Sequence, residues 1–287
     1  MSLLQQQKPF FAHPHLVGSL WPEPPRDAFD DRVAAIAGVG STGMGMGTEE
    51  LDGLLAGRSA ADLRAVLEHH GVHIGELEIL IGWQDPDGEF GVRAKAVEER
   101  MHVLADLFGA RRIKTSAVFP PGVPMPAVDV LTERFAALCD RAAAHGLSVE
   151  LEPFAVFPGF TYAVAADVVL AADRPNGGLL IDTWHLFRDP TGLGALDRVE
   201  GRHITGLELG DGHAEPRGTL HEDCNNHRLL PGEGSFHLVD LVRALDAKGV
   251  DVPLSVEVIS AELRGLTPAE NARRTAAAVA ALMEKAR

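Results

Sequence analysis

Four short apolar segments in the second half of the chain each carry an acidic residue near the carboxyl-terminal end: Glu152 in LSVELEP, Asp182 in GLLID, Glu208 in HITGLEL and Glu257 in PLSVEV. If these segments are parallel strands, alternate residues share a face, and the uniformly apolar set marks the face covered by helices. Leu147, Val149 and Leu151 then face outward, which turns Ser148, Glu150 and Glu152 inward. The same parity sends Asp182, Glu208, Ser255 and Glu257 inward. Carboxylates converging in a low-dielectric space repel one another, and either raised pKa values or a bound cation must relieve the repulsion. A divalent metal is the simplest resolution. An oxygen-rich shell suits Mg2+ or Mn2+, and an added imidazole draws the preference toward Mn2+, Co2+ or Zn2+. Glu150 lies one layer deeper on the same face, where a salt-bridged structural role competes with a chemical one.

Positioning such acids requires strands that all end at one face. Short apolar runs alternate with longer segments of helical period along the chain, the pattern of βα units around a parallel sheet. Eight strands are expected, at 10–16, 37–46, 72–81, 112–119, 147–153, 178–183, 203–209 and 253–258. Helices are expected at 94–108 and 128–144, the second stopped by His145-Gly146. The last helix opens on Thr267-Pro268-Ala269-Glu270, a capping-box sequence with proline at the first helical position, and runs to Met283. GMGMG at 43–47 is too short for a dinucleotide fingerprint, which removes the main support for an open doubly wound sheet. The expected fold is therefore α/β, a single (β/α)8 TIM barrel over residues 1–287, with the polar residues 1–8 as a flexible N-terminal segment.

Composition narrows the function classes. At 287 residues and 46% hydrophobic content the chain can fill one barrel core. Net charge is -15, from 26 Lys plus Arg against 41 Asp plus Glu, and this repels a polyphosphate backbone. No apolar run reaches membrane-spanning length, and the start lacks a signal-peptide segment, so a cytoplasmic protein with neither nucleic-acid nor membrane partners is expected. Cys139 and Cys224 stand outside any paired or metal-spaced motif and are expected as free thiols.

With these residues in view, GLSVELEPF (146–154), LLIDTWHLFR (179–188), ITGLELGDG (204–212), HRLLPGEG (227–234) and SVEV (255–258) resemble the xylose-isomerase-like TIM-barrel superfamily. That group holds sugar phosphate isomerases and epimerases, hydroxypyruvate isomerase, inosose and 3-dehydroshikimate dehydratases, and endonuclease IV. The first half resembles it through GVHIGELEILIGW (71–83) and the βα order. The resemblance implies one divalent ion (Mn, Mg, Co or Zn) held by Glu152, Asp182, Glu208 and Glu257. It also implies substrate contact by His185, in the D-x-x-H element, and by Arg228 before PGEG. Glu208 stands where epimerases of this family commonly carry His. It is then a fourth carboxylate ligand, or a substrate contact, or it yields its place to His213.

The favoured chemistry is isomerisation or epimerisation of a small hydroxy-ketone, a sugar (phosphate) or keto-polyol, through an enediolate, with Glu152 and Glu257 moving the proton. A dehydratase on the same platform and a non-catalytic sugar-binding barrel are the alternatives. Endonuclease activity is disfavoured by the acidic charge and by too few inward histidines. Glu78, with Glu76 on the third strand, and Lys114 on the fourth are further candidates for substrate contact. Each has a structural ion pair as its competing role. Trp83 walls the pocket or packs beneath a loop, and the PGEG glycines, Gly232 and Gly234, offer amides that could nest a phosphate. Self-association into a homo-oligomer is left open.

Overall fold

The computed structural model describes residues 2–119, 122–157 and 159–287. Eight parallel strands close into one barrel in sequence order: β1 (Phe10–Phe11), β2 (Gly43–Gly47), β3 (His73–Ile81), β4 (Arg112–Ser116), β5 (Ser148–Leu151), β6 (Gly177–Asp182), β7 (Ile204–Leu209) and β8 (Ser255–Val256). All eight expected strands exist, most of them shorter than expected. The segment expected to begin at residue 37 starts inside a helix, Phe29–Gly38, because the alanine-rich run preceding it completes a helical turn before Gly40 reverses the chain at φ +71°. Among the described residues no helix is long and apolar enough to cross a membrane.

The parity argument holds on the outer face. Val149, Leu151, Ile181, Leu207, Leu209 and Val256 are buried against the helical layer. The lumen is built in levels. At its floor the Phe10 ring lies between β2 and β3, where a Cβ on Gly43 would come within 2.5 Å of it and one on Gly75 within 2.9 Å. The Arg112 guanidinium covers that ring at 4.6 Å. Above it stand Glu76 and Glu150, each within 3.6 Å of Arg112. The carboxylates of the mouth come next.

The helices carry the punctuation the sequence encodes, with one difference. The last helix, Pro268–Ala286, starts where expected, and the Thr267 hydroxyl accepts from the Glu270 amide. The reciprocal half of the capping box is missing, because the Glu270 carboxylate is taken by Arg273 at 2.7 and 2.9 Å. The first residues also depart from expectation. Leu3 is fully buried, Gln6 donates to the Val252 carbonyl at 2.7 Å, and its side-chain oxygen accepts from the Leu254 amide at 2.9 Å. In the structure this segment packs against the chain around β8.

Closure between β8 and β1 involves only two residues on each strand, and it is reinforced from outside by His15. Its Nδ1 accepts from the Val258 amide at 3.0 Å, its Nε2 meets the Thr275 hydroxyl at 2.8 Å, and its carbonyl accepts from Asn271 at 3.0 Å. Burial pulls the ring's pKa down to about 4. A histidine that is neutral when folded and titrates normally when unfolded makes the unfolded state the better proton acceptor between these values. Its stabilising effect is thus complete above pH ~6.5 and is lost as pH falls toward ~4, by up to about 3 kcal/mol. Urea unfolding at pH 7 and pH 5 should show this loss in the wild type and a shallower pH dependence in His15→Gln. Equal acid sensitivity of the two proteins would refute the assignment.

Candidate active site

Each acidic side chain of the mouth is delivered by a strand end whose backbone is pinned. The Glu152 amide continues the β5 ladder by donating to Thr115 at 2.8 Å, and its carbonyl accepts from the Ser116 hydroxyl at 2.5 Å. The Asp182 carbonyl accepts from the buried Tyr162 hydroxyl at 3.1 Å. The Glu257 amide donates to Leu209 at 3.1 Å, extending β8 by one bond. With Glu208 near the end of β7, the four residues each present a carboxylate oxygen, all within 4.8 Å of one another. All four side chains are buried. The convergence expected from strand parity is therefore present.

Two cations lie in this cluster. Lys114, on β4 and 1% exposed, places Nζ 2.6 Å from Glu208, 2.6 Å from Glu78, 3.4 Å from Glu257 and 4.0 Å from Glu152. Arg228, equally buried, donates from Nη1 to Asp182 at 2.7 Å and to Glu257 at 2.9 Å, while its Nε donates to the Cys224 carbonyl at 3.2 Å. Both residues, expected to meet substrate, neutralise the acids in this structure, and for Lys114 this is the ion-pair role weighed beside substrate contact. A buried charge costs several kcal/mol to desolvate, so each cation is held by the carboxylates as much as it holds them. Burial pushes the carboxyls of Glu152, Glu208 and Glu150 well above the usual range, against the pull of Lys114 on the first two and of Arg112 on Glu150. Glu78 is pushed up to about 7 by burial, again opposed by Lys114.

The donor set fits a divalent ion. It consists of hard oxygens only, one Glu152 oxygen and both Glu208 oxygens have no hydrogen-bond partner, and the Glu208 contact with Lys114 is an ion pair without hydrogen-bond angles. His185 could join Glu152 and Asp182 as a nitrogen ligand on distance alone. Both of its ring nitrogens already face donors: Nδ1 meets the Ala155 amide at 3.1 Å, and Nε2 meets the Arg228 guanidinium at 3.3 Å beside Glu152 at 3.8 Å. Burial and Arg228 hold the ring's pKa well below the ordinary value, which keeps it neutral. His185 thus lies at the mouth beside Glu152 and Arg228, at the position from which substrate contact was expected.

Other expected positions resolve individually. Trp83 packs on Phe135 at 5.6 Å and donates to the Ser116 carbonyl at 3.0 Å, so it braces β4. His213 is absent from the groups that could share an ion among the described residues. The PGEG amides do not form an open phosphate nest. The buried Asp211 carboxylate already accepts from Gly212, Gly232 and Phe236 at 2.8, 3.0 and 3.0 Å, an internal anion in the position a phosphate would need. One residue of the mouth escaped the sequence reading. His13 lies over Gly47, where a Cβ would come 2.7 Å from Nε2, with Nδ1 3.3 Å from Glu50, itself paired with buried Arg32. The signal was available in GMGMG, because glycine at every second position of a strand leaves a lumenal stripe for other side chains to fill.

Comparison with known proteins agrees with this geometry. A 3-dehydroshikimate dehydratase of Pseudomonas aeruginosa is 28% identical over 252 residues, which cover 84% of this chain and 38% of the relative, so the chain spans well under half of that protein. An inosose isomerase of Bacillus velezensis is 26% identical over 83% of this chain and 85% of its own length. Among solved structures, IOLI protein with a binding zinc atom superposes with a TM-score of 0.82 at 18% identity, over 97% of this chain and 99% of that one. The family model described as xylose isomerase-like TIM barrel matches residues 33–284, and the chain belongs to that family.

Proposed function

We propose that this protein is a divalent-metal-dependent enzyme that moves a proton on a small hydroxy-ketone, a sugar, sugar phosphate or keto-polyol, and thereby isomerises or epimerises it. The observation that carries this is the convergence of Glu152, Asp182, Glu208 and Glu257 within 4.8 Å at the carboxyl-terminal mouth of the barrel, the face where such barrels do chemistry. An ion held there would polarise adjacent carbonyl and hydroxyl oxygens and so ease loss of the proton between them to give an enediolate. The protein's part is the proton itself. Glu152 and Glu257 end strands β5 and β8, on different sides of the mouth. Glu257, paired with Arg228 and Lys114, is the carboxylate that accepts a proton. Glu152, with one oxygen free of partners, is the group that returns one. His185, packed beside Glu152 and Arg228, contacts a substrate oxygen and so helps fix the face presented to the two acids. Enzymatic activity is also what the names of the relatives indicate.

A second reading, a dehydratase, rests on the Pseudomonas relative, whose match spans 84% of this chain. The first step is shared, and the outcome differs only if the anion expels a β-hydroxyl. With a substrate found by screening keto-polyols and ketoses, retention or loss of one water in the product separates the two.

Variants test the ligand set by calorimetric titration with Mn2+ or Zn2+. Asp182→Asn and Glu152→Gln should each weaken binding at least tenfold, the scale of losing one charged ligand. Glu150→Gln, a layer deeper beside Arg112, should leave affinity within a few-fold and lower thermal stability. The reverse pattern would mean that the inward carboxylates are wrongly assigned to their layers.

Proton transfer has its own test. Wild-type protein in D2O should place deuterium at the carbon next to the carbonyl, and Glu257→Gln should suppress this by on the order of 100-fold or more. Metal occupancy is measured on the same samples. A variant that keeps its ion and exchanges at the wild-type rate excludes Glu257 as the base.

A further inference from the structure

Lys114 is placed unlike an ordinary structural lysine. Its ammonium is buried among Glu208, Glu78, Glu257, Glu76 and Glu152 at 2.6, 2.6, 3.4, 3.9 and 4.0 Å, so three of its neighbours are also members of the four-carboxylate cluster. An ammonium and a divalent ion would draw on the same three carboxylates, since metal–oxygen contacts of about 2.0–2.6 Å require their oxygens to turn inward. Charge leads to the same conclusion. The four carboxylates and Glu78 outnumber Lys114 and Arg228, an excess of acid that a divalent ion would offset. Glu78 lies outside the cluster and, with Glu208, offers the ammonium a place to stay once the other oxygens are taken.

We infer that Lys114 is a tethered cation that competes with the divalent ion for the mouth, holding Glu208 and Glu257 together in the ion-free barrel and retreating onto Glu78 and the far side of Glu208 when an ion enters. This rests on the proposed metal-dependent reading and adds to it a built-in limit on affinity. Without the lysine the acids would bind divalent ions more tightly but would repel one another whenever the site was empty. With it, the barrel closes without metal, and occupancy is set by exchange of one cation for another.

The experiment measures metal affinity and thermal stability, and it requires no substrate. Wild type, Lys114→Met and Lys114→Gln are stripped with chelator and titrated with Mn2+ and Zn2+. Both variants should bind at least tenfold more tightly than wild type. Both should also melt lower than wild type when stripped and recover more on loading, because stabilisation by a ligand of the native state grows with the logarithm of its concentration over Kd. Lys114→Gln keeps a hydrogen-bonding group of similar length and serves if Lys114→Met does not fold. Unchanged or weaker affinity in the variants overturns the inference and makes Lys114 a brace for ligand geometry. If wild type binds no divalent ion while the variants do, the competition stands and the metal-dependent function proposed above fails. If none of the three binds an ion, both fail.

Discussion

The mouth of this barrel depends on how buried negative charge is balanced. Glu152, Asp182, Glu208 and Glu257 lie within 4.8 Å of one another in a space almost closed to water, where each unpaired charge costs several kcal/mol. Lys114 and Arg228 take up part of that charge from opposite directions, one from β4 and one from the loop after β7. Neither could be exchanged for an apolar residue without leaving carboxylates uncompensated. The acids that outnumber these two cations are what make a divalent cation the fitting third component.

Much of the rest of the structure keeps those charges in register. The floor of the lumen is sealed by Phe10 and Arg112, so water does not reach the acids from below, and Arg112 balances Glu76 and Glu150 one level down. Glycines on the lumenal face of β2 give up side-chain packing to admit the Phe10 and His13 rings. Asp211 spends its carboxylate on three backbone amides of the loop around PGEG, the loop that leads from Arg228. That loop is further tied by Asp211 and Leu229, which exchange backbone hydrogen bonds at 2.8 Å in both directions. The result fixes a guanidinium against two carboxylates on different strands.

The same arrangement separates roles among similar side chains. Glu257 is flanked by two cations, Glu152 keeps an oxygen free, Glu208 faces the ammonium, and Asp182 divides its oxygens between Arg228 and the amides of Trp184 and His185. Four acids of nearly equal chemistry thus become four different groups through their neighbours alone. His185 shows the same principle in a neutral group. The Ala155 amide engages its Nδ1 and the Arg228 guanidinium its Nε2, so both ring nitrogens are oriented by their neighbours.

The inward parity of Glu152, Asp182, Glu208 and Glu257 was legible in the sequence because it follows from local alternation, apolar residues facing the helices and the others the lumen, while the closed barrel was expected from the run of eight βα units. Helix starts such as Thr267-Pro268 were legible for the same local reason. What the sequence could not supply was the pairing. Lys114 reaches carboxylates from 36 to 143 residues away along the chain, and which of them it meets depends on the stagger of the strands, including register shifts within β2–β3 and β3–β4 that no local pattern encodes. Arg228 was seen as a substrate contact through its resemblance to the family's basic residue before PGEG. Only the fold of its loop turns it onto Asp182 and Glu257. Residue type and periodicity determined which groups point inward, and tertiary structure decided which charges neutralise one another, because Coulomb energy depends on distances in space that sequence separation does not fix.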